Sequence, residues 1–432
     1  MDGIHALSPL DGRYRDKTGQ LADRFSEAAL IRARVEVEIR YLQHLSSNGV
    51  VRSLSAEEAA LLDDVARVDD PMLAQVKALE ETTRHDVKAV EYFLRERFQD
   101  TSLSDLSPYL HFGLTSEDVN NLAYRRMIAA AREAVLRPQL LRLLAALADL
   151  AETHRTQPML ARTHGQPAIP TTFGKEVALF GIRLLAQLRR LQQIDLFGKL
   201  NGAVGGYHAM VVAFPDVDWP GLARSFVESL GLRFLPYTAQ INPQDDLVAL
   251  FGVYRHLNTI LLGLNQDMWR YISDDWLVQR MAEGQVGSST MPQKVNPIQF
   301  ENSEGNLALA NALFQAFMTE LPVSRLQRDL SDSTIRRNIG SAFGYSLIAY
   351  RSLLQGLASI DVNGPAMRQA LNANWNILAE AMQTVARTQG DAEAYEQTAA
   401  ALKQTVVDGD AWQRLATAVD GRLAALTPES YL

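Results

Sequence analysis

The chain has 432 residues, of which 47% are hydrophobic, and its formal net charge is −8. This length can bury a large core and predicts two to four domains, while the acidic balance without a basic stripe argues against nucleic-acid binding. The sequence contains no cysteine, which excludes disulfides, thiol catalysis and cysteine-ligated metals.

The N-terminal residues lack the basic start and apolar run of a secretory signal. No stretch approaches the roughly eighteen uninterrupted apolar residues of a membrane span. We therefore expect a soluble cytoplasmic protein with no membrane partner.

The predicted elements are helical from one end of the chain to the other. The first hundred residues form charged helices and end at the turn-rich stretch 101–108, which places a first domain at 1–110. Apolar residues at three- and four-residue spacing then predict helices from Gln139 to Glu152 after a break at Pro138, from Val177 to Leu191, from Leu247 to Met268 and from Leu307 to Phe317. Several long helices predict an all-α fold with a central long-helix bundle at 111–360.

The rest of the chain is less regular. Stretches 201–207 and 214–220 read as loops or short hairpins, and shorter helices after Asn363-Gly364-Pro365 predict a third domain at 361–432. Some long helices carry leucine and alanine on more than one face, as between Leu143 and Leu150. Such faces either meet another subunit or are ordinary buried helix.

The run from Gly287 to Pro297 is the densest chemical motif. It contains two hydroxyls, those of Ser288 and Ser289, and a cation, Lys294. Asn296-Pro297 is typical of a helix N-cap followed by proline at the first helical position. Backbone N–H groups at such a terminus bind anions, so the run predicts an anion-handling loop. An ordinary surface loop with common capping residues is the alternative.

Two further polar motifs flank apolar helices. His164, within Arg162 to Ala168, carries an imidazole, a group suited to proton donation to a leaving group. Taken alone, the motif favours the alternative, a loop histidine without a chemical role. Thr115-Ser116 precedes two carboxylates at the start of a predicted helix. Capping explains this pattern, and the same hydroxyls can also hold a substrate carboxylate.

Charged and aromatic groups suited to a phosphate or a base occur in three places: Arg13-Tyr14, Arg84-His85-Asp86, and Arg328 with Ser333 and Arg337. An ionic surface patch is the alternative for the arginines. No histidine pair has metal-ligand spacing and no Gly-rich phosphate loop occurs, so we predict no metal and no cofactor.

The segments around Thr115-Ser116, Thr163-His164 and Gly287 to Asn296 resemble, in order and spacing, the three signature regions of the fumarase/aspartase superfamily. Within it the chain is most similar to the adenylosuccinate lyase family of the longer bacterial type, over roughly residues 8–360. The motifs that carry this resemblance are 8–14, 85–94, 162–168, 201–205, 288–297, 300–306, 321–325 and 327–330.

The resemblance implies a homotetramer around a twenty-helix core, with each active site built from three subunits. It implies β-elimination of fumarate from adenylosuccinate, giving AMP, and from succinylaminoimidazole carboxamide ribotide in purine biosynthesis. By position Ser288 is the general base, with Ser289 as its competitor, His164 is the general acid, and Lys294 stabilises the alkoxide. Lys294, Asn296, Thr115 and Ser116 would contact the succinyl carboxylates, and the nucleotide would be held by Arg13, Tyr14, Arg84, His85, Asp86, Gln240, Arg328, Ser333 and Arg337.

The chain departs from the family at three points. Gln293 stands in place of a histidine, Arg84 in place of an asparagine, and no Leu-Thr-Arg-Gly element lies between Tyr395 and Gly409 in a shortened C-terminal domain. Because of the last departure, the alternative remains that the chain is a fumarate-releasing lyase that acts on a different N-substituted aspartate. An inactive tetrameric scaffold is a further alternative.

Overall fold

The computed structural model describes residues 3–280, 290–403 and 407–432. Its N-terminal part forms α1 (Arg15–Phe25), α2 (Glu27–Ser47), α3 (Ala56–Val65), α4 (Asp70–Thr83), α5 (Asp86–Phe98) and α6 (Ser116–Ala131). The middle of the chain forms α7 (Arg137–Thr153), α8 (Phe173–Gln192), α9 (His208–Ala213), α10 (Trp219–Ser229), α11 (Asp245–Ser273) and α12 (Ile298–Glu320). The remaining helices are α13 (Ser331–Arg336), α14 (Ile339–Ala358), α15 (Gly364–Asn372), α16 (Ala379–Thr388), α17 (Ala394–Lys403) and α18 (Gly409–Val419).

The all-α prediction is confirmed, and so are the four helices predicted from hydrophobic spacing, which are α7, α8, α11 and α12. The longest of them, α11, has 29 residues. The break predicted at Pro138 corresponds to a π-helical segment, Arg132–Leu136, that ends just before α7 begins. The helical backbone continues from this segment into α7, and Pro138 lies just after the π-helical turn, where the regular hydrogen-bond ladder is already interrupted.

Short strands interrupt the helices. The described residues contain three two-stranded sheets, formed by β1 (Pro158–Thr163) with β2 (Gln166–Thr172), β3 (Phe197–Gly198) with β4 (Arg233–Phe234), and β5 (Leu277–Gln279) with β6 (Ile360–Val362). The first and third pairs are antiparallel and the second is parallel. The β1–β2 hairpin is a feature that sequence reasoning treated as a polar segment between helices.

The described chain divides into two compact units. Unit 1 comprises Met1–Leu140, Gln187–Thr259 and Gly305–Tyr350, and unit 2 comprises Leu141–Ala186, Ile260–Glu304 and Arg351–Leu432. Every change of unit falls within a long helix, namely α7, α8, α11, α12 or α14. The three domains proposed from the sequence, 1–110, 111–360 and 361–432, stay a prediction.

An aromatic cluster fills the core of unit 1. Phe314 stacks on Phe251 with ring centroids 5.6 Å apart, and Phe343 lies edge-on to Tyr254 at 5.0 Å. All four side chains are buried. Because buried aromatic rings each remove a large apolar area from water, this cluster joins α11, α12 and α14 within the unit.

In unit 2 the rings of Tyr271 and Trp276 stack with centroids 5.8 Å apart, and Phe173 packs edge-on against Tyr271. Buried Asn265 on α11 donates to Ser303 on α12 at 3.0 Å. Among the described helices, α11 alone is long and apolar enough to cross a membrane by length and composition, and half of that apolar window is buried in the protein. A buried core helix of a water-soluble protein passes the same test.

We expect Phe343→Ala to lower the free energy of unfolding by about 3–5 kcal/mol, because a large cavity would replace a ring in the aromatic cluster. Val212→Ala is the matched control, since that side chain is 85% exposed and its truncation should change stability by no more than about 0.5 kcal/mol. Chemical denaturation of both variants measures the difference. Equal stabilities would contradict this account of the core.

Candidate active site

The tip of the β1–β2 hairpin carries His164. Thr163 pairs with Gln166, so the turn contains only His164 and Gly165, with φ angles of 54° and 75°. A two-residue hairpin turn of this type needs positive φ at both positions, which glycine adopts freely and histidine adopts more readily than most residues. The turn leaves His164 exposed, and Arg162 closes it by donating to the Gly165 carbonyl at 3.2 Å.

Lys294 and Asn296, also in unit 2, lie just before α12. The Lys294 N–H donates to the Met291 carbonyl at 3.0 Å, and Gln279 on β5 donates to the Val295 carbonyl at 3.0 Å. The helix begins one residue later than the sequence predicted, because the Pro297 carbonyl accepts the first helical hydrogen bonds and Ile298 is the first helical residue. Ser288 and Ser289 lie outside the described residues.

The start of α5, in unit 1, brings Arg84, His85 and Asp86 together with two arginines. Arg84 ends α4 in the left-handed conformation with φ 55°, and His85 caps α5 by accepting the Lys88 N–H at its Nδ1 atom. Asp86 accepts from Arg34 at 2.7 Å and from Arg337 at 3.0 Å. Burial raises the pKa of Asp86, but the two guanidinium groups outweigh burial and hold it below its usual value.

Glu117, in the first turn of α6, joins a second set of arginines. Its Oε1 atom accepts from Arg336 and Asn120, both at 2.9 Å, and lies 3.3 Å from Arg328. Burial raises the pKa of Glu117, but Arg336 and then Arg328 overcome this effect and lower it to about 2. The carboxylate therefore stays charged although its side chain is fully buried.

Arg336 links Glu117 to a further acid on its own helix. Its Nη2 atom lies 2.7 Å from Asp332, and both side chains are almost completely buried. Burial raises the pKa of Asp332; the charge of Arg336 opposes this effect and the charge of Glu117 adds to it, and the pKa stays above its usual value. Two carboxylates thus share one buried guanidinium, and Arg336 remains charged.

Gln240 and Arg328, both predicted to hold a nucleotide, are in direct contact. Arg328 donates to the Gln240 side-chain oxygen at 3.3 Å, and the Gln240 amide group donates to the Ala203 carbonyl at 3.0 Å. Ser333 lies in α13, where its N–H donates to the Leu330 carbonyl, and Arg337 caps that helix. The serine and arginine are therefore one turn apart, as the sequence predicted.

Thr115 and Ser116 lie at the N-terminus of α6. The predicted capping is confirmed, because the Thr115 N–H donates to the Asp118 carboxylate at 2.9 Å. Asp118 is fully buried and also binds Lys199 at 2.9 Å and the N–H groups of Asn201 and Gly202. This carboxylate fixes the 199–202 loop against the start of the helix that carries the two hydroxyls.

Arg13 and Tyr14 belong to the turn before α1. The Tyr14 N–H donates to the Pro9 carbonyl at 2.9 Å, and Arg13 is exposed. Asp11 of this turn and Arg337 line the same small cavity of about 200 Å³. The turn is therefore next to the arginine that reaches Asp86.

Within unit 1 the structure thus joins Asp86 with Arg337 and Gln240 with Arg328, whereas His164, Lys294 and Asn296 belong to unit 2. Sequence reasoning did not connect Glu117, Asn120 and Arg34 with the candidate site, although in the structure Glu117 contacts Arg328 and Arg34 contacts Asp86. Arg34 left a detectable signal: it stands on the buried face of α2 four residues before Glu38, where charged residues are rare.

Glu38 supports the turn that leads into Thr115. It accepts from the His111 N–H at 3.1 Å and from the His111 ring at 2.5 Å. Burial lowers the pKa of His111, but the Glu38 carboxylate outweighs burial and raises it. His111 has φ 57°, so the ion pair stabilises a backbone conformation that costs energy.

No group of three or more potential metal ligands occurs in the described parts of the chain. The site instead offers guanidinium groups, hydroxyls and helix-start N–H groups, several of them partly exposed. Arg337, for example, keeps 47% of its side chain accessible. Groups of these kinds are chemically suited to an anion with several oxygens.

Two family models match the chain. The one described as "Lyase" matches residues 12–312, and the one described as "Adenylosuccinate lyase C-terminal" matches residues 324–432. The second match includes the segment after Tyr395 that departs from the expected motif.

Curated relatives match over nearly their whole length. The chain is 44% identical to adenylosuccinate lyase of Escherichia coli strain K12, covering 100% of this chain and 97% of the relative. It is 45% identical to adenylosuccinate lyase of Haemophilus influenzae, covering 99% and 96% of the two chains.

Solved structures share the fold at low identity. A fumarate lyase from Mesorhizobium sp. BNC1 matches with a TM-score of 0.78 and 19% identity, covering 96% of this chain and 95% of that chain. The 3-carboxy-cis,cis-muconate lactonizing enzyme from Pseudomonas putida matches with a TM-score of 0.78 and 22% identity, covering 96% and 94%. These likenesses concern the fold alone.

We expect Glu117→Gln to lower the free energy of unfolding by about 3 kcal/mol at neutral pH, because it leaves buried guanidinium groups without their carboxylate. Since folding lowers the pKa of Glu117 to about 2, its contribution is complete above about pH 4.5 and is lost as the pH falls toward 2. Urea unfolding between pH 7 and pH 3 should show a gap between wild type and variant that narrows with acid.

The control is Glu228→Gln, which removes an exposed carboxylate 3.9 Å from Arg224. Its effect should stay below about 1 kcal/mol. A gap for Glu117→Gln that is constant or grows with falling pH would contradict the assigned ionisation.

Proposed function

Because the chain belongs to the adenylosuccinate lyase family, we propose that it eliminates fumarate from adenylosuccinate to give AMP, and from succinylaminoimidazole carboxamide ribotide, in purine biosynthesis. The observation that carries this proposal is the similarity over the full length of curated adenylosuccinate lyases. The C-terminal family match over 324–432 favours this substrate over a different N-substituted aspartate.

The proposed reaction breaks one C–H and one C–N bond of the succinyl group. A base removes the proton from the carbon beside a carboxylate, which leaves a carbanion whose charge is delocalised into that carboxylate. This electron pair then forms the C=C bond of fumarate as the C–N bond breaks and an acid protonates the departing nitrogen. Fumarate and the free amine result, and no oxidant, reductant or metal enters the balance. The protein must therefore supply a base, an acid and cations for the developing negative charge.

His164 is the proposed acid. Its place at an exposed two-residue turn, held by strand pairing on both sides, supports this role, since a rigid turn can present the imidazole to a substrate without burying it. Imidazole is also the side-chain group that most often transfers protons in enzyme catalysis.

Ser288 is the proposed base and Ser289 its competitor. A hydroxyl becomes a base only when its alkoxide is stabilised, and Lys294, six residues further on, supplies the nearest cation in sequence. Lys294, with Asn296, Thr115 and Ser116, is also proposed to bind the succinyl carboxylates. The position of both residues at the N-terminus of α6 supports the part assigned to Thr115 and Ser116, because helix N-termini favour bound anions.

The nucleotide is proposed to occupy the arginine-rich side of unit 1. The contact between Arg328 and Gln240 and the sharing of Asp86 by Arg34 and Arg337 support this assignment. Planar guanidinium groups bind phosphate through paired hydrogen bonds. The full proposed set is Arg13, Tyr14, Arg84, His85, Asp86, Gln240, Arg328, Ser333 and Arg337.

A homotetramer with shared active sites and a cytoplasmic location complete the proposal. Large exposed apolar side chains on α8, namely Leu179 and Ile182 at 46% and 68% exposure, support burial of this helix by another subunit. A nucleotide substrate of purine biosynthesis is a soluble small molecule, which fits a protein without nucleic-acid or membrane partners.

We expect the purified protein to convert adenylosuccinate to AMP and fumarate in equal amounts. A panel with argininosuccinate and a small aminosuccinate, read by fumarate release and by chromatography, separates substrate choice from chemistry. If folded protein turned over another aminosuccinate but not adenylosuccinate, the proposed substrate would be wrong and the proposed elimination chemistry would stand. If the protein turned over no substrate of the panel, the result would favour the alternative of an inactive tetrameric scaffold.

His164→Asn should reduce kcat by about 10²–10⁴ because asparagine accepts the same turn conformation but cannot donate the proton. Ser288→Ala should reduce kcat by a similar factor, and Ser289→Ala by much less. His256→Asn, at an exposed position on α11, is the control and should retain wild-type kcat. Undiminished elimination in Ser288→Ala would refute that base, and a larger loss in Ser289→Ala would assign it to Ser289.

A further inference from the structure

A large cavity lies in unit 1 between the end of α1, α2, the end of α3 and α6. Its volume is about 700 Å³, which is within the range of pockets that bind small molecules. None of the residues proposed to act in the elimination lines it. Five arginines do, namely Arg24, Arg32, Arg40, Arg67 and Arg126.

The cavity has more cations than anions. Its lining carries three carboxylates, those of Asp23, Glu36 and Asp63. Glu36 is shared between two of the arginines, since it lies 2.8 Å from Arg40 and 2.7 Å from Arg126. One carboxylate therefore neutralises only part of the charge that faces it.

Two of the arginines have no carboxylate partner among the residues that the structure describes. Within the described part of the chain, no carboxylate oxygen lies within 4.0 Å of the guanidinium groups of Arg24 or Arg67. The Nε atoms of Arg24 and Arg126 are shielded from solvent and have no hydrogen-bond acceptor among the described residues. Shielded donors without an acceptor are costly, and a bound anion would satisfy them.

The rest of the lining suits an anion better than a nucleobase or an apolar ligand. The apolar wall consists of alanines with Ile39 and Met127, and no aromatic side chain is among the lining residues. A nucleobase would find no ring to stack on, whereas guanidinium forks match the paired oxygens of phosphate.

The cavity and the candidate active site use opposite faces of α2. Arg32, Glu36 and Arg40 line the cavity, whereas Arg34 binds Asp86. Residues two apart on a helix point to different sides, because each step rotates about 100°. The cavity is therefore separate from the arginines assigned to the nucleotide.

We propose that this cavity is a second anion site, which binds a phosphorylated small molecule through Arg24, Arg67 and Arg126. The site is independent of elimination chemistry and of the substrate proposed above. Pyrophosphate is the probe, because it carries the recognised group and nothing else. All proteins carry Arg337→Gln, which removes a cation from the site proposed above to hold the nucleotide.

In this background, isothermal titration at fixed ionic strength should show pyrophosphate binding that weakens at least tenfold when Arg24→Gln and Arg67→Gln are combined. Arg97→Gln is the matched control, since it removes an exposed arginine that does not line the cavity. It should leave the affinity unchanged. Because Arg67 is exposed and forms no ion pair in the described structure, Arg67→Gln alone serves if the double variant does not fold.

Three results would overturn the proposal. The first is no pyrophosphate binding in the Arg337→Gln background, and the second is equal affinity for the cavity and control variants. The third is that the cavity variant and Arg97→Gln weaken pyrophosphate binding equally, which would show a general effect of surface charge. Elimination is assayed separately, in enzyme that carries Arg24→Gln and Arg67→Gln but keeps Arg337. This variant should retain the wild-type kcat whether or not the cavity binds pyrophosphate, so the test of the cavity does not depend on the test of the proposed function.

Discussion

Two adjacent carboxylates in the first turn of α6, Glu117 and Asp118, are fully buried, and the surroundings of the candidate site in unit 1 depend on them. Each one would be costly to bury alone. Glu117 is offset by Arg336, Arg328 and Asn120, and Asp118 by Lys199 and by backbone N–H groups. The polar groups around the site are thus fixed by the requirement that two buried charges be compensated.

This compensation also places the groups proposed to bind substrate. Negative charge in the first turn of a helix is favoured by the helix dipole, so the carboxylates stabilise the start of α6 where Thr115 and Ser116 lie. Glu117 restrains Arg328, which reaches on to Gln240. A mobile lysine or arginine would lose more side-chain freedom on binding a phosphate than one already restrained in this way.

The sequence predicted the parts of this arrangement that are local. The capping pattern at Thr115 to Asp118 and the helical spacing of Ser333 and Arg337 follow from neighbours within four positions, and the structure has both. The partners of Glu117 could not be predicted in this way, since Arg336 is 219 positions further along the chain. The β1–β2 hairpin was missed because its prolines at 158, 167 and 170 argue against strands, although a two-stranded sheet leaves half of its N–H groups unpaired.

Helix α2 contributes charged residues both to the candidate site and to the proposed anion cavity. Its inner charged residues, Arg34 and Glu38, hold Asp86 and the His111 turn, and its outer ones face the cavity. A ligand that draws Arg40 or Arg126 away from Glu36 would change the charge balance on the outer face without breaking the inner pairs. The pairs on the inner face are more buried than those on the outer face, so such a ligand would leave the inner pairs in place. Its effect on elimination would then be small unless α2 moved as one rigid helix.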